Sequence, residues 1–215
     1  MKYAMHIRLQ IAMLTLVCGA GVFAQNPADT DAEANYSKTI QERADKIVAT
    51  LEISDTNKFT RVSNLIAQQY RNLRDIHDAR DAAIKTAKEQ PKESADKRVK
   101  EIQDEATSKL GKLHGEYLAQ LSVELTPAQV DKVKDGMTYG VLPLTYGVYL
   151  KEFPELKEDQ KAQIHAWLVE ARELAMDQGT SKEKHAVFGK YKGRINNYLS
   201  KAGYDLKKGE ENLRK

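Results

Sequence analysis

The stretch SDTNKFTRVSNLIAQQYRNLRDIHDARDAAIKTAKEQP, residues 54–91, decides the fold. Within it Phe59, Val62, Leu65, Ile66, Gln69, Leu73, Ile76 and Ile84 recur at helical spacing, which places them on one face of an α-helix. Ser54 and Asp55 supply side-chain oxygens that cap a first turn, and Pro91, which has no N–H to donate, ends the run. Beyond it, with Ser94 as the expected cap, Val99, Ile102, Ala106, Leu110, Leu113, Tyr117 and Leu121 form a second stripe. Two long helices broken once at a proline predict an antiparallel hairpin, an arm over about residues 55–122. Residues 71–112 carry 11 basic and 9 acidic side chains, leaving a thin apolar seam. Those charges are either a solvated face laced by pairs such as Asp81 with Lys85, or a surface that grips a protein partner.

The same period extends outward in both directions. Upstream, Tyr36, Ile40, Ala44, Ile47, Val48 and Leu51 make one buried stripe. Downstream, Leu125-Thr126-Pro127-Ala128-Gln129 is a helix start, with Thr126 as cap, Pro127 where its missing N–H costs nothing, and Val130, Val133 and Met137 facing inward. A second start at Leu156-Lys157-Glu158-Asp159-Gln160 leads into Ile164, Trp167, Leu168, Ala171, Leu174 and Ala175, closed by Gly179. Ser181 is the expected cap of a last helix with Val187, Phe188, Tyr191, Ile195, Tyr198 and Leu199 as its stripe. No alternation of period two persists, and only residues 141–144 suggest a short extended piece. The expectation is all-α: a helical bundle of about six helices with a long charged hairpin.

At 215 residues, 30% charged, and with a mean hydropathy of -0.62, the chain is not a multi-span membrane protein. Its first 24 residues read as an address. Lys2 and Arg8 precede the apolar run 11–17, and Val22-Phe23-Ala24 ends on a small residue, the pattern of a secretory signal cut after Ala24. A lipoprotein reading of Cys18 meets Val17 where lipidation wants Gly, Ala or Ser. The expectation is a single helical domain, residues 25–215, periplasmic or secreted, with no membrane span after cleavage. Cleavage removes the only thiol, and with it thiol catalysis, disulfide exchange and cysteine-ligated zinc.

Three features are candidates for function. The segment 136–149 repeats Thr-Tyr-Gly and carries no charge. Its Tyr139, Tyr146 and Tyr149 are either core of a buried connection or rings that stack on sugar faces while bonding hydroxyls. The second feature is charge: residues 181–215 hold ten basic and four acidic side chains, net +6, against a net -5 over residues 25–180. A basic end on an acidic body suits an anionic partner such as an acidic glycan, and an exported protein is not expected to meet nucleic acid. The third is the line His185, Gly189, Lys192 and Asn196, spaced to share one face of the last helix, with Gly189 and Gly193 expected to permit a close approach.

Catalytic motifs do not emerge. The sequence contains neither a nucleophile elbow, a phosphate-binding loop nor a dinucleotide fingerprint. His77, His114, His165 and His185 fall on separate predicted helices, so no metal, no cofactor and no catalytic residue is expected, and an enzyme is the less favoured class. The paired Leu-x-x-x-Gln openings at Leu125 and Leu156 are similar to those of helical periplasmic chaperones of the Spy and CpxP type.

A broader likeness runs from Asp135-Gly136-Met137-Thr138-Tyr139-Gly140-Val141-Leu142-Pro143 through Lys161-Ala162-Gln163-Ile164 and Trp167. It ends in the stretch SKEKHAVFGKYKGRINNYL at residues 181–199. These residues resemble a family of secreted bacterial proteins classed as domain of unknown function 3826. The resemblance implies export by Gram-negative, glycan-degrading bacteria and sugar binding, with no catalytic residues to carry over. The expected function is therefore an exported, non-enzymatic accessory protein. It would bind an oligosaccharide or acidic glycan through Tyr139, Tyr146, Tyr149 and Trp167, with His185, Lys192, Arg194 and Asn196 as polar contacts. The alternatives are a chaperone-like or scaffolding protein acting through its charged arm, and a glycan-active enzyme.

Overall fold

The computed structural model describes residues 27–213, with side chains from residue 31 onward. The signal-peptide expectation for residues 1–24 lies outside the described residues. Eight helices make up the described chain: α1 Pro27–Ala49, α2 Thr56–Ala87, α3 Lys92–Glu124, α4 Pro127–Met137, α5 Val141–Glu152, α6 Glu158–Met176, α7 Ser181–Lys201 and α8 Leu206–Asn212. The all-α expectation holds, with eight helices in place of about six. Contacts divide the chain into Met1–Tyr36 and Ser37–Lys215. The described part of the first unit is the opening of α1, and the core below belongs to the second.

Helices α2 and α3 pack along each other as the expected hairpin. Asp55 caps α2 by accepting from the backbone N–H groups of Asn57 and Lys58. Val62, Ile66, Leu73, Ile102, Ala106, Tyr117 and Leu121 are its buried seam. At the base Arg61 meets Glu124 through two bonds, 2.8 and 3.0 Å. Toward the tip Arg98 reaches Glu101 and Glu105 at 3.0 and 3.7 Å. The partner of Asp81 is Arg80, at 2.8 Å, where Lys85 was expected.

Several local expectations need correction. Helix α3 starts before Ser94: Pro91 occupies the cap position, and the Ser94 hydroxyl donates back to the Pro91 carbonyl at 2.8 Å. Helix α7 is capped by Thr180, whose backbone is extended and whose hydroxyl accepts from the Glu183 N–H, so Ser181 is already helical. Residues 141–144 are the first turn of α5, and Pro143 sits where its missing N–H has no intrahelical partner to lose. Gly179 lies past the C-cap Asp177 in a tight position, since a Cβ there would come to 3.0 Å from the His77 ring. Leu174, expected inside, is half exposed. Thr126 caps α4 as expected and forms a capping box with Gln129, whose Nε2 also donates to the Leu51 carbonyl at 3.0 Å, fastening α4 to the turn between α1 and α2.

The C-terminal half has its own core, in which Tyr149, Phe153, Ile164, Leu168, Phe188, Ile195 and Leu199 pack between α5, α6 and α7. Helix α8 seats on this core through Gly209, where a Cβ would come within 2.5 Å of the Phe153 ring. Asn212 fixes it further by donating to the Glu152 carbonyl at 2.9 Å. That seating brings α8 beside α5 and α7 and makes the wall of a groove.

Candidate functional site

The groove between α5, α7 and α8 has a volume of about 370 Å³. Leu144 and Val148, one turn apart on α5, form an exposed apolar edge, 68% and 40% accessible. Lys192 and Asn196 line it from α7, Glu152 from the end of α5, and Glu210 from α8. Tyr149 is buried, and its hydroxyl donates to Asn196 Oδ1 at 2.7 Å. Burial, with Glu152 second, pushes the Tyr149 phenol up to about 12, so it stays a protonated donor. With Oδ1 so engaged, the Asn196 Nδ2 is left to donate to a ligand oxygen. Burial, followed by repulsion from Glu210, raises the Glu152 carboxyl above its ordinary value. The groove thus combines an apolar edge with an amide, an ammonium and two carboxyl groups, all planar or multidentate partners for hydroxyl groups.

The eight residues expected to bind do not converge on one place. Tyr149, Lys192 and Asn196 meet in the groove. Trp167 and Arg194 stand together elsewhere, the guanidinium 4.5 Å from the indole centroid, with Tyr198 edge-on to Trp167 at 5.3 Å. Arg194 also faces Glu170 at 3.6 Å. Tyr139 stacks on His185 with ring centroids 5.4 Å apart, and the His185 Nδ1 donates to the Ser181 carbonyl at 2.8 Å. Tyr146 packs edge-on against His165 at 5.1 Å. The 100° step of a helix explains part of the separation: Lys192 and Asn196 share one side of α7, while Arg194 points to another. Gly189 and Gly193 do not serve a close helix approach, because a Cβ at either would meet open space.

Sequence reasoning missed a part-buried polar network joining α2, α3, α4, α6 and α7. Arg172 on α6 is 5% exposed and donates to Asp131 at 2.6 Å and Asp135 at 2.9 Å on α4. Glu173 accepts from Lys134 at 2.9 Å and faces His114 at 3.6 Å. His114 Nδ1 donates to Asp177 Oδ2 at 2.8 Å, and His77 Nε2 donates to the Asp177 carbonyl at 2.8 Å. The bonds to Asp177 and Glu173 raise the His114 imidazole to about 9, so it is an imidazolium at neutral pH. Burial opposes ionisation of Glu173, yet bonds from His114 and Lys134 hold its carboxyl down at about 2. Lys184, 4% exposed, donates to the carbonyls of Met137 and Met176, the last residues of α4 and α6. Burial pushes its ammonium down to about 8. One signal in the sequence pointed here: Asp131 and Asp135 are like charges four apart, which repel on a helix unless a cation sits between them.

Among the described residues no three His, Cys, Asp or Glu side chains are arranged to hold a metal ion. None of the described helices is long and apolar enough to cross a membrane. No curated protein matches the sequence. The family model described as Protein of unknown function (DUF3826) matches residues 37–215, most of the chain, and the protein belongs to that family.

Proposed function

We propose that this protein is an exported, non-enzymatic accessory protein that binds carbohydrate in the groove between α5, α7 and α8. The observation that carries the reading is the meeting there of Tyr149, Lys192 and Asn196 with Glu152 and Glu210 beside the exposed edge of Leu144 and Val148. Sugars present hydroxyls that donate and accept at once, together with apolar C–H faces. A site that recognises them needs both kinds of surface, held by a rigid scaffold. Tyr149 supplies the rigidity by fixing the Asn196 amide. Export is supported by the leader pattern of residues 1–24.

The test is a glycan array followed by titration of the strongest hits against Asn196→Ala. The reading fails if no neutral or acidic oligosaccharide is retained at millimolar concentration. A furrow on the hairpin, about 270 Å³ with Ile76, Ala79, Ala83 and Ile102 lining it, favours a second reading in which the arm grips protein clients. Deleting residues 80–105 then abolishes suppression of client aggregation, and unchanged suppression excludes that role.

A further inference from the structure

A second recess lies on α6 and α7, on a different side of α7 from Lys192 and Asn196. It is an open shelf of about 620 Å³. Trp167 and Tyr198 stand edge to face in it, with the Arg194 guanidinium over the indole. Lys190 and Lys201 complete a cationic rim. Gly193 lies among these residues, in the interior of α7, and a Cβ there would meet open space. Glycine is the poorest helix former after proline, so a mid-helix glycine calls for a reason. Packing against a neighbouring helix does not supply one here. The missing side chain instead leaves bare backbone in the shelf, between side chains that carry charge and aromatic surface.

We infer that this shelf binds the carboxylates of an acidic polysaccharide, with a uronate ring lying over Gly193 and its carboxylate on Arg194. A guanidinium held against an indole keeps its N–H fork oriented, and Glu170 faces it only at 3.6 Å, beyond hydrogen-bond length, so a ligand carboxylate can displace that loose ion pair with a two-point bond. The aromatic edges suit the C–H face of a pyranose ring. Asn197, also on the shelf, supplies an amide for hydroxyls. The wider surface is complementary in charge, since among the described residues of 181–213 seven basic side chains are exposed, against four acidic residues in the same stretch. An aromatic pair set beside bare backbone and ringed by cations favours a saccharide over a bilayer, whose phosphates would meet only the lysines of the rim. The inference shares its ligand class with the groove reading but uses a separate surface, so either can fail alone.

Trp167 is the only tryptophan in the sequence, so its fluorescence reports this shelf directly. Titration with polygalacturonate is expected to shift Trp167 emission saturably, while a neutral glucan of equal length leaves it unchanged. Arg194→Gln should weaken the response about tenfold, the loss of one charge-assisted bond. Gly193→Gln should weaken it as much with no fall in melting temperature, because glutamine is the better helix former. Asn196→Ala, in the groove, should leave it intact. The inference is overturned if polygalacturonate at millimolar uronate moves neither the emission nor the calorimetric baseline, or if the response survives both shelf variants. An equal shift with phosphatidylglycerol vesicles would overturn it in favour of a membrane surface.

Discussion

The Tyr149 hydroxyl on α5 donates to Asn196 Oδ1 on α7 at 2.7 Å, joining a buried ring to the amide that faces the groove. Removing only that hydroxyl, in Tyr149→Phe, keeps the packing and leaves the amide free to rotate. The expected cost in urea denaturation is about 1 kcal/mol. Sugar binding should weaken as well, because the Asn196 amide no longer has a fixed direction. Unchanged binding in Tyr149→Phe would mean that the hydrogen bond serves stability alone.

Arg172 offers a sharper test of stability. It is buried between two aspartates of α4, and a neutral replacement leaves Asp135 facing the interior without its cation. Arg172→Met is expected to lose about 3 kcal/mol in equilibrium unfolding. Asp131→Asn should cost much less, since that carboxylate is 57% exposed.

The pH dependence follows from His114. Its folded value of about 9 lies above the ordinary 6.5, so its contribution is full below about pH 6.5 and is lost as pH rises through 9. Glu173 works in the opposite sense: its contribution is full above 4.5 and lost as pH falls toward 2. The gap in unfolding free energy between wild type and His114→Gln should be on the order of 2 kcal/mol at pH 6. It should shrink markedly by pH 9.5, and a gap constant across that range would contradict the assignment.

Lys184 predicts a trend of its own. Its folded value of about 8 is below the ordinary 10.5, so the unfolded chain holds the proton more tightly between those values. Stability relative to Lys184→Met should therefore rise as pH climbs from 8 to 10, as measured by urea titration at each pH.

Tyr139 adopts a positive φ of 60° where α4 ends, immediately before Gly140 at 65°. Position Tyr139 is one where helices favour glycine, and a bulky side chain there is strained by about 1 kcal/mol. Tyr139→Gly should be more stable than Tyr139→Ala by about that amount, even though both lose the stack on His185.

Features set by neighbouring residues were legible in the sequence. Thr126, Pro127 and Gln129 act within one turn, so the start of α4 could be read from them directly. The caps of α3 and α7 were displaced because Ser94 and Ser181 have the right chemistry but the wrong backbone, and only φ and ψ distinguish Thr180 from its neighbour. Helix α5 was hidden by Pro143 and by the absence of any charge over residues 141–150, which leaves no polar face to read. Long-range partners were not readable. Glu152 meets Glu210 across 58 positions, and His114 meets Asp177 across 63, distances over which spacing carries no information. The candidate site was half legible for the same reason. Lys192 and Asn196 share a helix face, but what lies opposite them depends on α8, a seven-residue helix with no apolar period.

The central claim is that the groove between α5, α7 and α8 holds a sugar. Isothermal titration calorimetry of the protein and of Asn196→Ala with the oligosaccharides retained on an array tests it most directly. Saturable heat for the wild type, with an affinity lost about tenfold in Asn196→Ala, is the predicted result. Identical affinity for both proteins, or no heat from any oligosaccharide at millimolar concentration, would contradict it.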